Sequence, residues 1–193
     1  MPVTINGDGS ITGLAAGGLP SSALTGAIPS STLPAGTVIQ CVTDTTTART
    51  DNNGNTYLTI SGLSVTMTPR AANSKFYAIF EGHFYVDYGG AGSNSAHGIG
   101  YNIYKDGTRF TTSPNDTGGG ENSERPYDWY NDGAHRTVAR LMKTGQGTFG
   151  STSAATFTVK FKGYYANSSH TVKLNENNSD QTQAQLTVME IAA

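Results

Sequence analysis

The chain of 193 residues is long enough for one sizeable domain, or for one domain with an attached arm. Only 13% of the residues are charged and the formal net charge is −2, with the lysines and arginines dispersed singly, so no nucleic-acid partner is expected. Cys41 is the only cysteine, which excludes an intrachain disulfide and a zinc cluster, and no cofactor is expected. No apolar run approaches the ~18 residues of a membrane-spanning helix, so no membrane insertion is expected.

Residues 1–36 form a block of their own composition. A turn signal at 6–9 (NGDG) separates two short β-prone pieces, and two similar segments follow, LPSSALTGA at 19–27 and IPSSTLPAG at 28–36. Each proline keeps the chain extended, so the apolar residues recur along a segment that cannot bury them against itself. The block is either a floppy linker or an extended N-terminal attachment arm. In the second interpretation its anchors to partner chains are Leu19, Leu24, Ile28 and Leu33.

From residue 37 the pattern is that of β-strands joined by polar turns. Asp106-Gly107 predicts a two-residue hairpin turn, Gly62 suggests a bulge, and 166–169 is interpreted as the loop of a second hairpin. We predict an all-β fold, an antiparallel β-sandwich head of jelly-roll type over 37–193. Its candidate strands are 37–43, 56–67, 75–87, 99–105, 108–112, 137–143, 155–164, 169–175 and 184–191.

The polar stretch 113–135 is too long for a mere connection, and it contains ERPYDWYND at 124–132. Aromatic faces there could stack on sugar rings, while charged and amide groups could bind hydroxyls. Alternatively, Tyr127 and Trp129 pin the loop to the sandwich or pack between subunits. The candidate glycan-binding residues are Arg125, Tyr127, Asp128, Trp129, Tyr130 and Asp132.

Enzyme motifs are absent from the sequence, and we predict no catalytic residue. Paired carboxylates in the 113–135 loop are the one pattern that a glycosidase could use, but a catalytic acid usually needs burial, which a polar loop does not assure. The stretches 51–55 (DNNGN) and 175–180 (NENNSD) offer oxygen atoms to a cation, but both are more simply turns, so no metal site is expected.

Two segments of the sequence carry a resemblance. INGDGSITGLAAGGLPSSALTGAIPSSTLPAGTVIQ (5–40) resembles the N-terminal region of tail-fibre and other appendage proteins of tailed phages. QLTVMEIAA (185–193) is similar to the final strand of small fibre-head domains of such virions. The resemblance implies a homotrimeric appendage with a compact β head, attached through its N-terminal part to other proteins of the tail or capsid on the outer surface of the virion.

Three functions are compatible with these features. The first is a fibre-type appendage whose head loops bind a host cell-surface polysaccharide. The second is a capsid decoration, or cement, protein that stabilises the shell with extended arms. The third is a polysaccharide-cleaving spike, and of the three it has the least support in the sequence.

Overall fold

A computed structural model describes residues 33–53, 56–87, 98–110, 136–164, 171–175 and 182–193, and also the strand backbone at 4–5, 11–12 and 123–124. The chain divides into two compact units, Met1–Leu33 and Pro34–Ala193. In the first unit, β1 (Thr4–Ile5) pairs antiparallel with β2 (Ile11–Thr12), on either side of the predicted turn at 6–9.

The described part of the second unit is built from β-strands and contains no helix, which confirms the predicted all-β class. Every strand pair in it is antiparallel. The strands are β3 (Val38–Thr46), β4 (Thr50–Asn52), β5 (Leu58–Met67), β6 (Lys75–Asp87), β7 (Gly98–Lys105), β8 (Thr108–Arg109), β9 (Ser123–Glu124), β10 (Arg136–Thr148), β11 (Ala155–Tyr164), β12 (Thr171–Leu174) and β13 (Ala184–Ile191).

The first sheet contains six strands but is only four strands wide. β13 and β12 lie end to end beside β6, and β3 and β4 lie end to end beside them. β10 pairs with one edge of β6 along its whole length. On the other edge of β6, β13 pairs with Lys75–Glu81 and β12 pairs with Phe84–Asp87. At the outer edge, β3 pairs with β13 and β4 pairs with β12.

The second sheet is also four strands wide. β5 pairs with β11, which pairs with β7. The far edge of β7 carries β8 at Tyr104–Lys105 and β9 at Ile99–Gly100.

The two sheets pack face to face around one apolar core, which confirms the predicted sandwich. Alternate side chains of β6 and β11 point into it, including Phe76, Phe80 and Phe84 from the first sheet and Phe157 and Phe161 from the second. These rings meet edge to face, with centroids 5.1 Å apart for Phe76 and Phe157 and 5.3 Å apart for Phe84 and Phe161.

Two turn predictions are confirmed in the backbone. Asp106 and Gly107 both have positive φ, 49° and 79°, as a type I′ hairpin turn requires. Gly62 has φ of 68°, and the β5–β11 register shifts between Thr158 and Lys160, so a bulge lies in this part of β5.

The predicted hairpin with 166–169 as its loop is wrong. β11 lies in the second sheet between β5 and β7, whereas β12 lies in the first sheet between β6 and β4. The chain therefore crosses from one sheet to the other after β11 instead of folding back on it. The sequence reading also missed β4, whose three residues Thr50–Asn52 are short and polar.

Candidate binding surface on the second sheet

The outer face of the second sheet carries lysines where the inner face carries the core. In β11, Phe157, Val159 and Phe161 are fully buried, while Lys160 and Lys162 between and beyond them are half-buried. Apolar and polar residues alternate along 157–162 of the sequence, which is the pattern of a strand with one buried face, and the structure places the apolar ones in the core.

The two lysines lie over two tyrosines, Tyr104 of β7 and Tyr57 immediately before β5. The ammonium of Lys160 is 4.5 Å from the ring centroid of Tyr104, and that of Lys162 is 5.1 Å from the ring centroid of Tyr57. Both distances are in the range of cation–π attraction. The two rings are themselves T-shaped, with centroids 6.3 Å apart. We call this group, with Asn102, the Tyr–Lys face.

A hydrogen bond and a glycine fix Tyr57 across the sheet. Asn102 Nδ2 donates to the Tyr57 hydroxyl over 2.9 Å. A Cβ on Gly100 would lie 3.0 Å from the same hydroxyl, so only glycine leaves Tyr57 its present position without a shift. Asn102 and Tyr104 are 5% and 9% exposed, which is low for the outer face of a sheet. The Tyr–Lys face is therefore an ordered surface built by three strands.

Burial raises the pKa of the Tyr104 phenol above its usual value of 10.0, and the positive charge of Arg109 lowers it in part. A raised pKa keeps the phenol neutral throughout the physiological range. Tyr104 therefore adds no negative charge to the face.

Lys160 has no ion pair within the described part of the chain, and no carboxylate of those residues belongs to the Tyr–Lys face. The nearest acid along the sequence of β7 is Asp106, whose carboxylate lies 3.3 Å from Lys105 and also accepts the Thr156 backbone N–H. The face therefore combines aromatic rings, an amide and positive charge.

Most residues of the two predicted sites lie outside the described residues. This applies to the glycan-binding candidates Arg125, Tyr127, Asp128, Trp129, Tyr130 and Asp132 and to the arm anchors Leu19, Leu24 and Ile28. Leu33 is described and is half-buried. β9 ends at Glu124 and pairs with β7 at Ile99–Gly100, so the backbone that leads into Arg125 lies at the edge of the sheet that carries the Tyr–Lys face.

The two stretches considered for cation binding use their described polar side chains in the fold. Asn52 Nδ2 donates to the carbonyls of Thr56 and Phe161, each over 2.9 Å, and Asp51 forms an ion pair with Arg49. Asn175 Nδ2 donates to the Thr46 carbonyl over 3.0 Å, while its buried Oδ1 has no hydrogen-bond partner among the described residues. The described residues hold no group of three or more His, Cys, Asp or Glu side chains arranged for a metal ion.

The described residues include no helix with the length and apolarity to span a bilayer. No protein-family model matches the chain, and no curated protein is similar to it. The fold and the surface define the protein as an antiparallel β-sandwich whose second sheet carries an aromatic and cationic outer face.

Proposed function

We propose that the protein is a phage virion structural protein of the tail-fibre type, attached through the arm at 1–36, whose head at 37–193 binds a host cell-surface glycan. The observation that carries the glycan-binding part is the Tyr–Lys face. The half-buried ring of Tyr57 offers apolar area to a sugar ring, and lysine, amide and hydroxyl groups hydrogen-bond to sugar hydroxyls. The appendage class rests on the resemblance of 5–40 and 185–193 to such proteins.

The strand order supports a jelly roll as the form of the head. The pairs β3–β4, β8–β9 and β12–β13 each lie end to end, and when each pair is counted as one strand the head has eight strands. In chain order, the first, third, sixth and eighth of these form the first sheet. The second, fourth, fifth and seventh form the second sheet. A double-sheet jelly roll likewise distributes eight strands over two sheets.

Glycan binding is tested by titrating the full chain onto immobilised cell-surface polysaccharides of candidate hosts. We expect Tyr57→Ala to weaken binding about tenfold or more, because an aromatic side chain at the centre of a contact commonly contributes at least 1–2 kcal/mol. Thr66→Ala is the matched control, since Thr66 is exposed on the same sheet at the other end of β5. Equal binding by the two variants would contradict the role of the face.

The place on the virion is tested by the number of copies in each particle. A tail appendage is present in few copies, whereas a capsid decoration protein is present in hundreds, and quantitative mass spectrometry of purified particles separates the two. Hundreds of copies, with loss of capsid stability when the protein is removed, would replace the fibre assignment by the cement alternative.

A homotrimer is part of the proposal, and the outer face of the first sheet supports it. Tyr77, Ile79, Met189 and Ile191 lie there half-buried, and Met142 at the edge is 61% exposed. Neighbouring side chains of one sheet face make a continuous apolar area, which in a soluble protein usually marks a contact surface.

A second copy of the chain fits this surface because most of the surface is uncharged. Glu81 and Arg140 on it form an ion pair within the chain, and Lys75 lies at its end, opposite Ile191 in the backbone register. Closed symmetric assembly would cover both the apolar area and the edge of β10 that pairs with no described strand. Sedimentation should give a trimer for the full chain and a smaller species for Met142→Lys. A stable monomer of the unaltered chain at micromolar concentration would overturn the trimer.

A further inference from the structure

We infer that the glycan bound at the Tyr–Lys face is anionic, and that a carboxylate or phosphodiester oxygen of the glycan contacts the ammonium of Lys160. This inference rests on the proposed function, because it specifies the ligand of the same surface. It commits to a charge on the sugar polymer, a property that the proposed function leaves open.

The position of Lys160 is the first ground. Its side chain is half-buried on the sheet, its ammonium lies 4.5 Å from the Tyr104 ring centroid, and it forms no ion pair with the described residues. An ammonium group has three N–H donors, and a ring face occupies only one side of it. Partial burial removes some of the water around a cation, so an anion brought to its open side gains more than it would at a fully solvated lysine.

The surroundings of Lys160 are the second ground. Lys162 follows two residues later on the same face, which places the two Cα atoms about 7 Å apart along an extended strand. Arg109 on β8 pairs with Tyr104 in the backbone register, so a third cation comes from the strand on the other side of β7. Its charge is felt at the Tyr104 phenol, whose pKa it lowers against the effect of burial. Positive charge thus converges from β8 and β11 on one tyrosine.

The chemistry of the rest of the face favours an acidic sugar over other polyanions. Nucleic acid is bound mainly through many phosphate contacts along a basic surface, and this chain has a formal net charge of −2. A sugar polymer with spaced charges needs few cations, and it offers apolar ring faces and hydroxyls between them. The pairing of each lysine with a tyrosine matches that alternation.

The test uses a panel of neutral and acidic bacterial polysaccharides, with each acidic one beside its carboxyl-reduced or chemically dephosphorylated derivative. We expect the full chain to bind at least one acidic polymer, and to bind its charge-free derivative about tenfold more weakly, since a hydrogen bond to a charged group is stronger than one to a neutral group. Which treatment abolishes binding tells carboxylate from phosphodiester. Binding should also weaken as sodium chloride is raised.

Variants assign the effect to Lys160. Lys160→Gln should lose about tenfold in affinity for the acidic polymer and little for its neutral derivative, whereas Lys160→Arg should retain most of the affinity. Lys75→Gln is the matched control, because Lys75 is an exposed lysine of the first sheet. Circular dichroism and a denaturation midpoint establish that each variant is folded.

The outcomes separate the two proposals. Binding to no polysaccharide overturns the proposed function and this inference together. Binding to neutral polysaccharides that Lys160→Gln leaves unchanged overturns only the inference and leaves glycan binding in place. Single-stranded DNA is included as a polyanion that lacks the hydroxyl groups of a polysaccharide. Equally tight binding to it would show charge attraction without glycan recognition and would also overturn the inference.

Discussion

Replacing Glu190 with alanine is expected to lower the free energy of unfolding by about 1.5–3 kcal/mol, because it removes the buried charged acceptor of a polar network. The Glu190 side chain is 0% exposed. Its carboxyl oxygens accept a hydrogen bond from Gln40 Nε2 over 2.6 Å and one from the Arg70 backbone N–H over 2.9 Å, and the Ser74 hydroxyl also contacts it. In the alanine variant the Arg70 N–H loses this acceptor, while Gln40 and Ser74 each keep one other acceptor, the carbonyls of Thr68 and Ala71.

The network joins three parts of the sandwich, which is why its loss is expected to be global. Gln40 of β3 also donates to the Thr68 carbonyl over 2.9 Å, so the segment between β5 and β6 is tied to both β3 and β13. That segment carries the chain from the second sheet to the first. Removing the acceptor at Glu190 therefore loosens a crossing between sheets as well as a single side chain.

Urea denaturation of three variants checks this expectation. Glu190→Gln keeps the size of the side chain and one oxygen acceptor. We therefore expect its free energy of unfolding to lie between that of the unaltered chain and that of Glu190→Ala. Gln185→Ala, at an exposed position of the same strand, should stay within about 0.5 kcal/mol of the unaltered chain. If Glu190→Ala were as stable as Gln185→Ala, the network would not stabilise the fold.

Glu190 also shows how far local sequence could predict this fold. The alternation of β13 correctly places Leu186 and Val188 in the core, and Glu190 has the same parity. A charged residue at such a position reads as the end of a strand, because nothing nearby in the sequence can satisfy it. Its partners are 116 and 150 residues away, at Ser74 and Gln40, and only the folded chain brings them together.

Strand pairing was predictable only where neighbouring strands are joined by a tight turn. The Asp106-Gly107 hairpin was predicted because its turn type dictates its residues. The wrong hairpin, with 166–169 as its loop, joins strands of opposite sheets, and a short polar loop does not reveal that each strand has better partners elsewhere.

The candidate site shows the same division between local and long-range information. Alternation of apolar and polar residues in β11 is enough to place Lys160 and Lys162 on the face opposite Phe157 and Phe161. It could not predict the tyrosines beneath them, because Tyr57 and Asn102 are 45 residues apart and meet only through the register of β5, β11 and β7. The only tryptophan, Trp129, drew attention to the long loop, whereas the surface that the structure describes is built on strands.

Replacing Phe157 with alanine is expected to cost about 3–5 kcal/mol, the range for deleting a buried phenylalanine ring. Phe157 is 0% exposed, and it links the sheets: its ring centroid is 5.1 Å from that of Phe76 on β6 and 6.1 Å from that of Phe149. The cavity cannot collapse easily, because a Cβ on Gly147 would already lie 2.7 Å from the Phe76 ring, which shows how closely β10 packs there.

A double-mutant cycle turns this loss into a test of the sandwich itself. Phe157→Ala and Phe76→Ala remove rings from opposite sheets that contact each other, so their effects should be non-additive by about 0.5–3 kcal/mol. Phe157→Leu, which keeps part of the volume, should lose clearly less than Phe157→Ala. Additive losses, or an unfolding curve that splits into two transitions, would mean that the sheets do not share one core. A single transition with strong coupling would establish that both faces of the sandwich, including the Tyr–Lys face, rest on one cooperative unit.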